Sequence, residues 1–350
     1  MTFAMLVLVL SICVYSADTR AETIAEISVE STYDSNVFGT STNNEDYLTQ
    51  AGTYIAHREK TEESDFHLFY AGTAYLFTKS TDRSFSMHDL GVSYSRKLGD
   101  GRNRLYAGST FRARLDRDIF TVYDFDGFLA FVNTKFYATP RTMLRVGYSM
   151  ERRNYWNLDV SGYSDQNVFL QATRFFPSRT TLRGDLSYGQ KDYAGSEGQV
   201  LMGLQVAQGL SGGTGVSVRF QRRINVEPGD AGNALSADED ILFDRYDYGG
   251  NALSLTLTQQ LPFAARLIVN GAYESQSFNG QLALDENLIP LSTFEERVDR
   301  ISGAGLFLEL PLTSRLELGL GYDFERSRSN DATYDYEGRH IVSVGFDLDF

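Results

Sequence analysis

The chain is poor in cysteine, proline and tryptophan, with one, six and one respectively in 350 residues. The single cysteine, Cys13, lies in the first 21 residues, so the remaining 329 (350 − 21) contain none. That absence excludes a disulfide framework and a thiolate metal centre. Basic charge is also short: 32 Lys and Arg stand against 46 Asp and Glu, a formal net charge of −14. A chain with that balance lacks the electrostatic footprint of a nucleic-acid binder, and of a polybasic protein lying on a membrane surface. Beyond residue 16 no apolar run approaches the roughly 20 residues that a membrane-crossing helix needs. Convincing 3.6-residue periodicity is missing as well, which argues against amphipathic helices.

What the chain has in quantity is Phe (24), Tyr (21) and Gly (31), set in segments of period two. Sixteen such segments follow Glu22, mostly eleven to sixteen residues long, the first over about 25 to 37 and the last over 338 to 350. Fourteen and eighteen remain open as alternatives. An even count returns both chain ends to one side. The connections alternate in length. Tight turns such as Gly99-Asp100-Gly101, Thr139-Pro140-Arg141 and Ser211-Gly212-Gly213 follow the even-numbered segments. Longer polar links, such as 38 to 45, 156 to 165, 227 to 245 and 279 to 297, follow the odd-numbered ones, with 194 to 197 as a short exception. Short turns at one rim and long loops at the other describe a transmembrane antiparallel up-and-down β-barrel. A soluble sandwich has no reason to keep that asymmetry.

Two terminal signals agree with a barrel. Ala4 to Ser16 is apolar and reads as a secretory signal, with Thr19-Arg20-Ala21 as a small-x-small cleavage site that leaves Glu22 first. No Lys or Arg precedes this stretch, which a misassigned start codon would explain; Leu10-Ser11-Ile12-Cys13 resembles a lipoprotein cleavage box only loosely, because Ile12 is too large. The expected division is therefore a signal peptide over 1–21 and one barrel domain over 22–350. At the other end, Val342, Val344, Phe346, Leu348 and Phe350 form an apolar stripe, while Ser343, Gly345, Asp347 and Asp349 form a polar one. A last strand that alternates this way and closes on Phe resembles the assembly signal of bacterial outer-membrane barrels. That resemblance assigns Gly345, Phe346, Leu348 and Phe350 to recognition by the barrel-assembly machinery.

Carried along the chain, the alternation gives an uncharged lipid-facing set that includes Val29, Leu90, Val146, Leu186, Val218, Leu255 and Leu318. The opposite faces hold the charges. A basic wall is expected from Arg112, Arg114, Arg145, Arg153, Arg183, Arg219 and Arg223, on segments five to eleven. An acidic wall is expected from Glu30, Asp34, Glu274, Glu317, Asp323, Asp347 and Asp349, on segments thirteen to sixteen and one. Closing the sheet sets one wall against the other. The pair then either orients small polar solutes in a transverse field or knits together and plugs the barrel.

Tyr33-Asp34-Ser35-Asn36-Val37-Phe38 on the first segment resembles the signature near the start of several outer-membrane β-barrel porin families, among them barrels linked to exopolysaccharide export and to surface-lipoprotein translocation. The resemblance implies a barrel in the cell outer membrane, embedded among lipid and lipopolysaccharide. The helical-repeat domain that export and translocation members often carry is not in this chain, which points to a stand-alone barrel. The expected function is a porin-like channel for passive diffusion of small polar solutes, with a homotrimer as the common assembly at this size. A polysaccharide-export or lipoprotein-secretion conduit and a non-conducting anchor or adhesin are the alternatives.

Enzyme and metal readings are weaker. No Ser-His-Asp grouping can be assembled from adjacent strands, and no cofactor or metal is expected. His57 and His67 flank the turn at 60 to 64 and would suit a metal pair as cross-strand neighbours, although rim histidines are the commoner case. Asp230, Asp238, Glu239, Asp240, Asp244 and Asp247 crowd one long loop without the spacing of a calcium loop. Tyr148, Tyr155, Trp156, Tyr188, Tyr193, Tyr273 and Tyr322 fall near the long-loop ends, where an interfacial girdle is expected.

Overall fold

The computed structural model describes residues 20–99, 101–158, 162–193, 195–227 and 248–350. Sixteen antiparallel strands close on themselves, each hydrogen-bonded to its neighbours in sequence and β1 to β16. They are β1 (Arg20–Asp34), β2 (Asp46–Lys60), β3 (Ser64–Phe77), β4 (Phe85–Leu98), β5 (Asn103–Asp116), β6 (Phe125–Thr139), β7 (Thr142–Tyr155) and β8 (Tyr163–Phe175). The second half comprises β9 (Thr180–Asp192), β10 (Ser196–Gly209), β11 (Thr214–Glu227), β12 (Tyr248–Gln260), β13 (Arg266–Leu282), β14 (Glu296–Pro311), β15 (Leu316–Ser329) and β16 (Tyr336–Asp349). Closure removes every sheet edge, so all strand backbone groups can pair without water, as a chain in lipid requires. No helix among the described residues is long and apolar enough to cross a membrane.

The expected strand count, turn positions and asymmetry of the two rims are all present. Turns of two to five residues join β2 to β3, β4 to β5 and so on around one rim. Gly212 (φ 72°) and Gly213 (φ 75°) make the β10–β11 turn, which needs two left-handed residues in succession. The other rim carries the longer loops. The residues of the expected acidic loop, Asp230 to Asp247, lie outside the described residues. So do residues 1–19; β1 begins at Arg20, which pairs in register with Lys60, two residues ahead of Glu22.

A strand of 14 residues runs about 46 Å along its axis, enough to cross a tilted apolar band roughly 25 Å tall and reach both rims. The outward side of the band is aliphatic and aromatic. Val168 and Leu204 are each 51% exposed, and Leu90, Leu186, Leu255 and Phe346 are similarly open. Among the described strand residues, outward charges lie toward the rims, for example Glu59, Arg96 and Arg174 at the short-turn end and Asp126, Arg152, Arg222, Arg300 and Arg326 at the long-loop end. Acyl chains solvate Leu and Val at no cost, whereas Arg or Lys at mid-depth costs about 2 to 4 kcal/mol.

The Tyr33–Phe38 segment locks the seam of the barrel. The carboxylate of Asp34 accepts from the Asn36 backbone N–H (2.9 Å) and from Arg339 of β16 (3.0 and 3.1 Å). Asn36 is fully buried, and its side-chain amide donates to the Thr40 carbonyl. Ser35 and His340 exchange a further pair of bonds, Ser35 N–H to the His340 carbonyl at 3.0 Å and His340 N–H to Ser35 Oγ at 2.8 Å. The segment thus folds the first long loop onto the closing strand.

Candidate channel lumen

Cross-strand register decides which residues share the interior. Glu26 lies opposite Asp349, Arg112 opposite Asp89, Gln205 opposite Arg219, Arg223 opposite Leu201, and Glu317 opposite Asp347. Following these pairs around the ring places Arg112, Arg114, Arg145, Arg153, Arg183, Arg219 and Arg223 on the inward face. Glu30, Asp34, Glu274, Glu317, Asp323, Asp347 and Asp349 share that face. On β16, Gly345 faces inward opposite Glu30, and Phe346, Leu348 and Phe350 alternate outward, with the Phe350 N–H reaching the Ala25 carbonyl at 3.0 Å.

The interior has two tiers with different electrostatics. Toward the long loops, charges are paired nearby and packed on rings. Arg114 bonds Asp116 at 2.8 and 3.0 Å and lies over Phe85, 4.1 Å from its centroid. Arg153 donates to Glu151 (3.1 Å) and lies 4.3 Å from the Phe125 centroid. Arg223 reaches Glu274 at 3.3 Å and lies over Tyr248. Arg297, only 4% exposed, is held between the rings of Phe278 and Tyr334 and pairs with Asp299. Phe125, Tyr155, Tyr248, Phe278 and Tyr336, among the most buried aromatic side chains, all belong to this tier. Desolvated Arg over an aromatic face gains on the order of 2 kcal/mol, so this tier is a packed ring with matched charge.

Toward the short turns, beside the local pairs Arg58–Asp65, Arg183–Asp185 and Arg266–Glu309, the charges without an ion-pair partner among the described residues are segregated. Lys97 of β4 lies opposite Arg104 of β5, Arg104 opposite Lys135 of β6, and Lys135 opposite Arg145 of β7. None of these four cations forms an ion pair among the described residues: Arg104 donates to Ser95 Oγ (3.3 Å) and Arg145 Nε to Asn133 Oδ1 (2.9 Å), both neutral partners. The acidic counterpart is on β15, β16 and β1, where Glu26, Glu317, Asp347 and Asp349 adjoin one another without a cation partner among the described residues. In a ring of sixteen, β7 and β15 are eight strands apart, half the circumference, while β4 and β1 are three apart, so the two clusters face each other obliquely. Between the tiers Arg112 is held bidentately by Asp89 at 2.7 Å, while Arg183 is held by Asp185 within the short-turn half.

Several expectations need correction. His57 and His67 are not a pair: His57 faces outward opposite Leu68, whereas His67 faces inward opposite Arg58 and hydrogen-bonds Tyr54 at 2.9 Å. A one-residue difference in the turn flips a side chain to the other face. No group of three or more His, Cys, Asp or Glu among the described residues could hold a metal ion. Tyr155 is not in the outer girdle; it is 3% exposed, stacked edge-on against Phe125 inside the barrel. Tyr188, Tyr273, Tyr322 and Trp156 do face outward, at 42 to 49% exposure. Lys97, Arg104, Lys135, Arg297 and Arg339 also face inward, as the same alternation places them, and add to the two expected walls.

No family model matches the chain, and no curated protein matches it. Solved structures do. OprB of Pseudomonas putida is 9% identical with a TM-score of 0.59, and 94% of each chain is covered. An anion-selective porin from Comamonas acidovorans is 10% identical with a TM-score of 0.56, over 95% of this chain and 100% of that one. A bacterial polysaccharide outer membrane secretin is 10% identical with a TM-score of 0.54, over 93% of this chain and 98% of that one. At these identities the likeness is one of fold: the chain has the sixteen-stranded barrel architecture of outer-membrane porins.

Proposed function

We propose that the protein is a porin-like channel of the cell outer membrane that passes small polar solutes by passive diffusion, without enzymatic activity. The observation that carries this reading is the sorting of charge. A closed ring of sixteen strands keeps an uncharged outer belt while turning cations and carboxylates inward, and barrels of this strand number commonly enclose an aqueous passage. Segregated walls across that passage impose a transverse field that aligns dipolar solutes and water. Arg145 and Arg219 contribute to the basic side with no ion pair among the described residues, whereas Arg114, Arg153, Arg183 and Arg223 act mainly in local pairs. Likeness of fold to the polysaccharide secretin supports polymer export as a second reading.

We further propose a leader, an assembly signal, a lipid surround and an oligomer for this barrel. Residues 1–21 are a signal peptide, removed before the barrel inserts. Gly345, Phe346, Leu348 and Phe350 present the closing strand to the barrel-assembly machinery. Lipopolysaccharide surrounds the long-loop rim, and the assembly is a homotrimer.

Swelling of liposomes that contain the refolded chain separates the two principal readings. Entry of monosaccharides and amino acids, with exclusion of larger oligosaccharides, supports the channel; impermeability to all of them removes it.

A further inference from the structure

The row of four cations carries a mutual repulsion that its place in the lumen wall does not offset. Like charges directly opposite on neighbouring strands lie about 5 Å apart at Cβ and destabilise the sheet. Here three such contacts follow one another, Lys97 to Arg104, Arg104 to Lys135, and Lys135 to Arg145. No carboxylate among the described residues pairs with any of the four. Asp65, which lines the same cavity as Arg104 and Arg145, is held by Arg58 through Nε at 2.9 Å, and the charge of Arg104 also acts on it.

Arg104 and Arg145 also line a cavity of about 500 Å³ on the β1–β7 wall, within the size range of small-molecule sites. Its walls are not purely polar. Tyr54, Tyr106 and Phe131 line it, and the Arg145 guanidinium lies 6.0 Å from the Tyr106 centroid and 5.6 Å from that of Phe169. The guanidinium donates through Nε to Asn133, which orients it, while no hydrogen bond to any described residue occupies its terminal nitrogens. A guanidinium with a free terminal edge suits a carboxylate or phosphate group, and flanking aromatic faces suit an apolar body.

We propose that this cavity binds small organic anions that carry an apolar or aromatic body. The anionic head sits between Arg104 and Arg145 under the field of Lys135, and the body lies against Tyr106 and Phe131. The proposal rests on the channel reading for the ligand's route of access. Occupation by an anion offsets the repulsion along the row, and it makes the short-turn half of the lumen a selective station on the diffusion path.

The test uses the refolded full chain in detergent, titrated calorimetrically with sodium benzoate, sodium acetate and benzylammonium chloride. Benzoate is expected to bind saturably, acetate at least tenfold more weakly, and benzylammonium not at all. The double variant Arg104→Gln/Arg145→Gln is expected to raise the benzoate dissociation constant at least tenfold, while Arg222→Gln on the outer face leaves it unchanged. Folding of each variant is checked by heat-modifiable migration. Equal binding of benzoate and benzylammonium, or wild-type affinity in the double variant, overturns the site. Single-channel recording separates this outcome from failure of the channel. A pore that conducts without interruption by benzoate overturns the site alone; a barrel that binds benzoate without conducting upholds the site and overturns the channel.

Discussion

Arg339 and Asp34 meet across the seam of the barrel, 305 residues apart in the chain, with Arg339 Nε 3.0 and 3.1 Å from the two carboxylate oxygens and Nη2 2.5 Å from one. They are the side-chain complement of the β1–β16 backbone ladder that closes the ring. Arg339 also lies 3.6 Å from Glu325, so the seam pair belongs to a small network on the long-loop side.

Because the Asp34 side chain is only 9% exposed, removing its partner strands a charge. Arg339→Ala is expected to cost about 3 kcal/mol, read as a lower urea midpoint in the unfolding of the refolded barrel. An unchanged midpoint would mean that the backbone ladder alone holds the seam.

A second test concerns backbone approach. A Cβ on Gly250 would come within 1.9 Å of the Ser275 carbonyl oxygen, so β12 and β13 meet there too closely for any side chain. Gly250→Ala should destabilise the barrel by about 1 to 3 kcal/mol, whereas Gly271→Ala, with nothing within 4 Å, should cost far less. Equal urea midpoints for the two variants would contradict the register of this hairpin.

Much of this architecture is legible in the sequence because a strand in a barrel has only two sides. Alternation alone places Val29 and Leu255 outward and Arg112 and Asp347 inward, and the spacing of Gly and Pro marks the short turns. Register is the part that alternation leaves open. His57 and His67 are symmetric about the centre of their turn, yet Lys60 pairs with Asp65, and that offset sends the two rings to opposite faces. The row Lys97–Arg104–Lys135–Arg145 is likewise invisible along the chain, since its members come from four strands. Tyr155 shows the reverse failure: its parity with Arg153 marks it as inward, and grouping aromatic residues by their distance from the loops obscured that.

Trp156, the single tryptophan in the chain, reports directly on the girdle. It is 49% exposed, and its indole N–H donates to Asp126 at 2.8 Å. In bilayers its fluorescence should be quenched more by lipids brominated near the headgroup than by lipids brominated at the chain ends. Stronger quenching from the bilayer centre would displace the long-loop rim from the interface.

The segregated walls predict opposite shifts in ion preference. Lys135→Glu with Arg145→Glu should move the reversal potential in a salt gradient toward cation preference, and Glu317→Gln with Asp347→Asn toward anion preference. A reversal potential that ignores both pairs would remove these residues from the conduction path.

Deletion of Phe350, the terminal outward ring at 62% exposure, should lower the amount of barrel inserted in the outer membrane while export to the periplasm continues. Normal insertion of the truncated chain, measured by fractionation, would remove the terminal residue from the assembly signal.

The central claim is that the ring of sixteen strands encloses a conducting path. Single-channel current of the refolded chain in a planar lipid bilayer tests it most directly. Discrete, reproducible conductance steps are the predicted result; a correctly folded, membrane-inserted barrel that passes no current would contradict it.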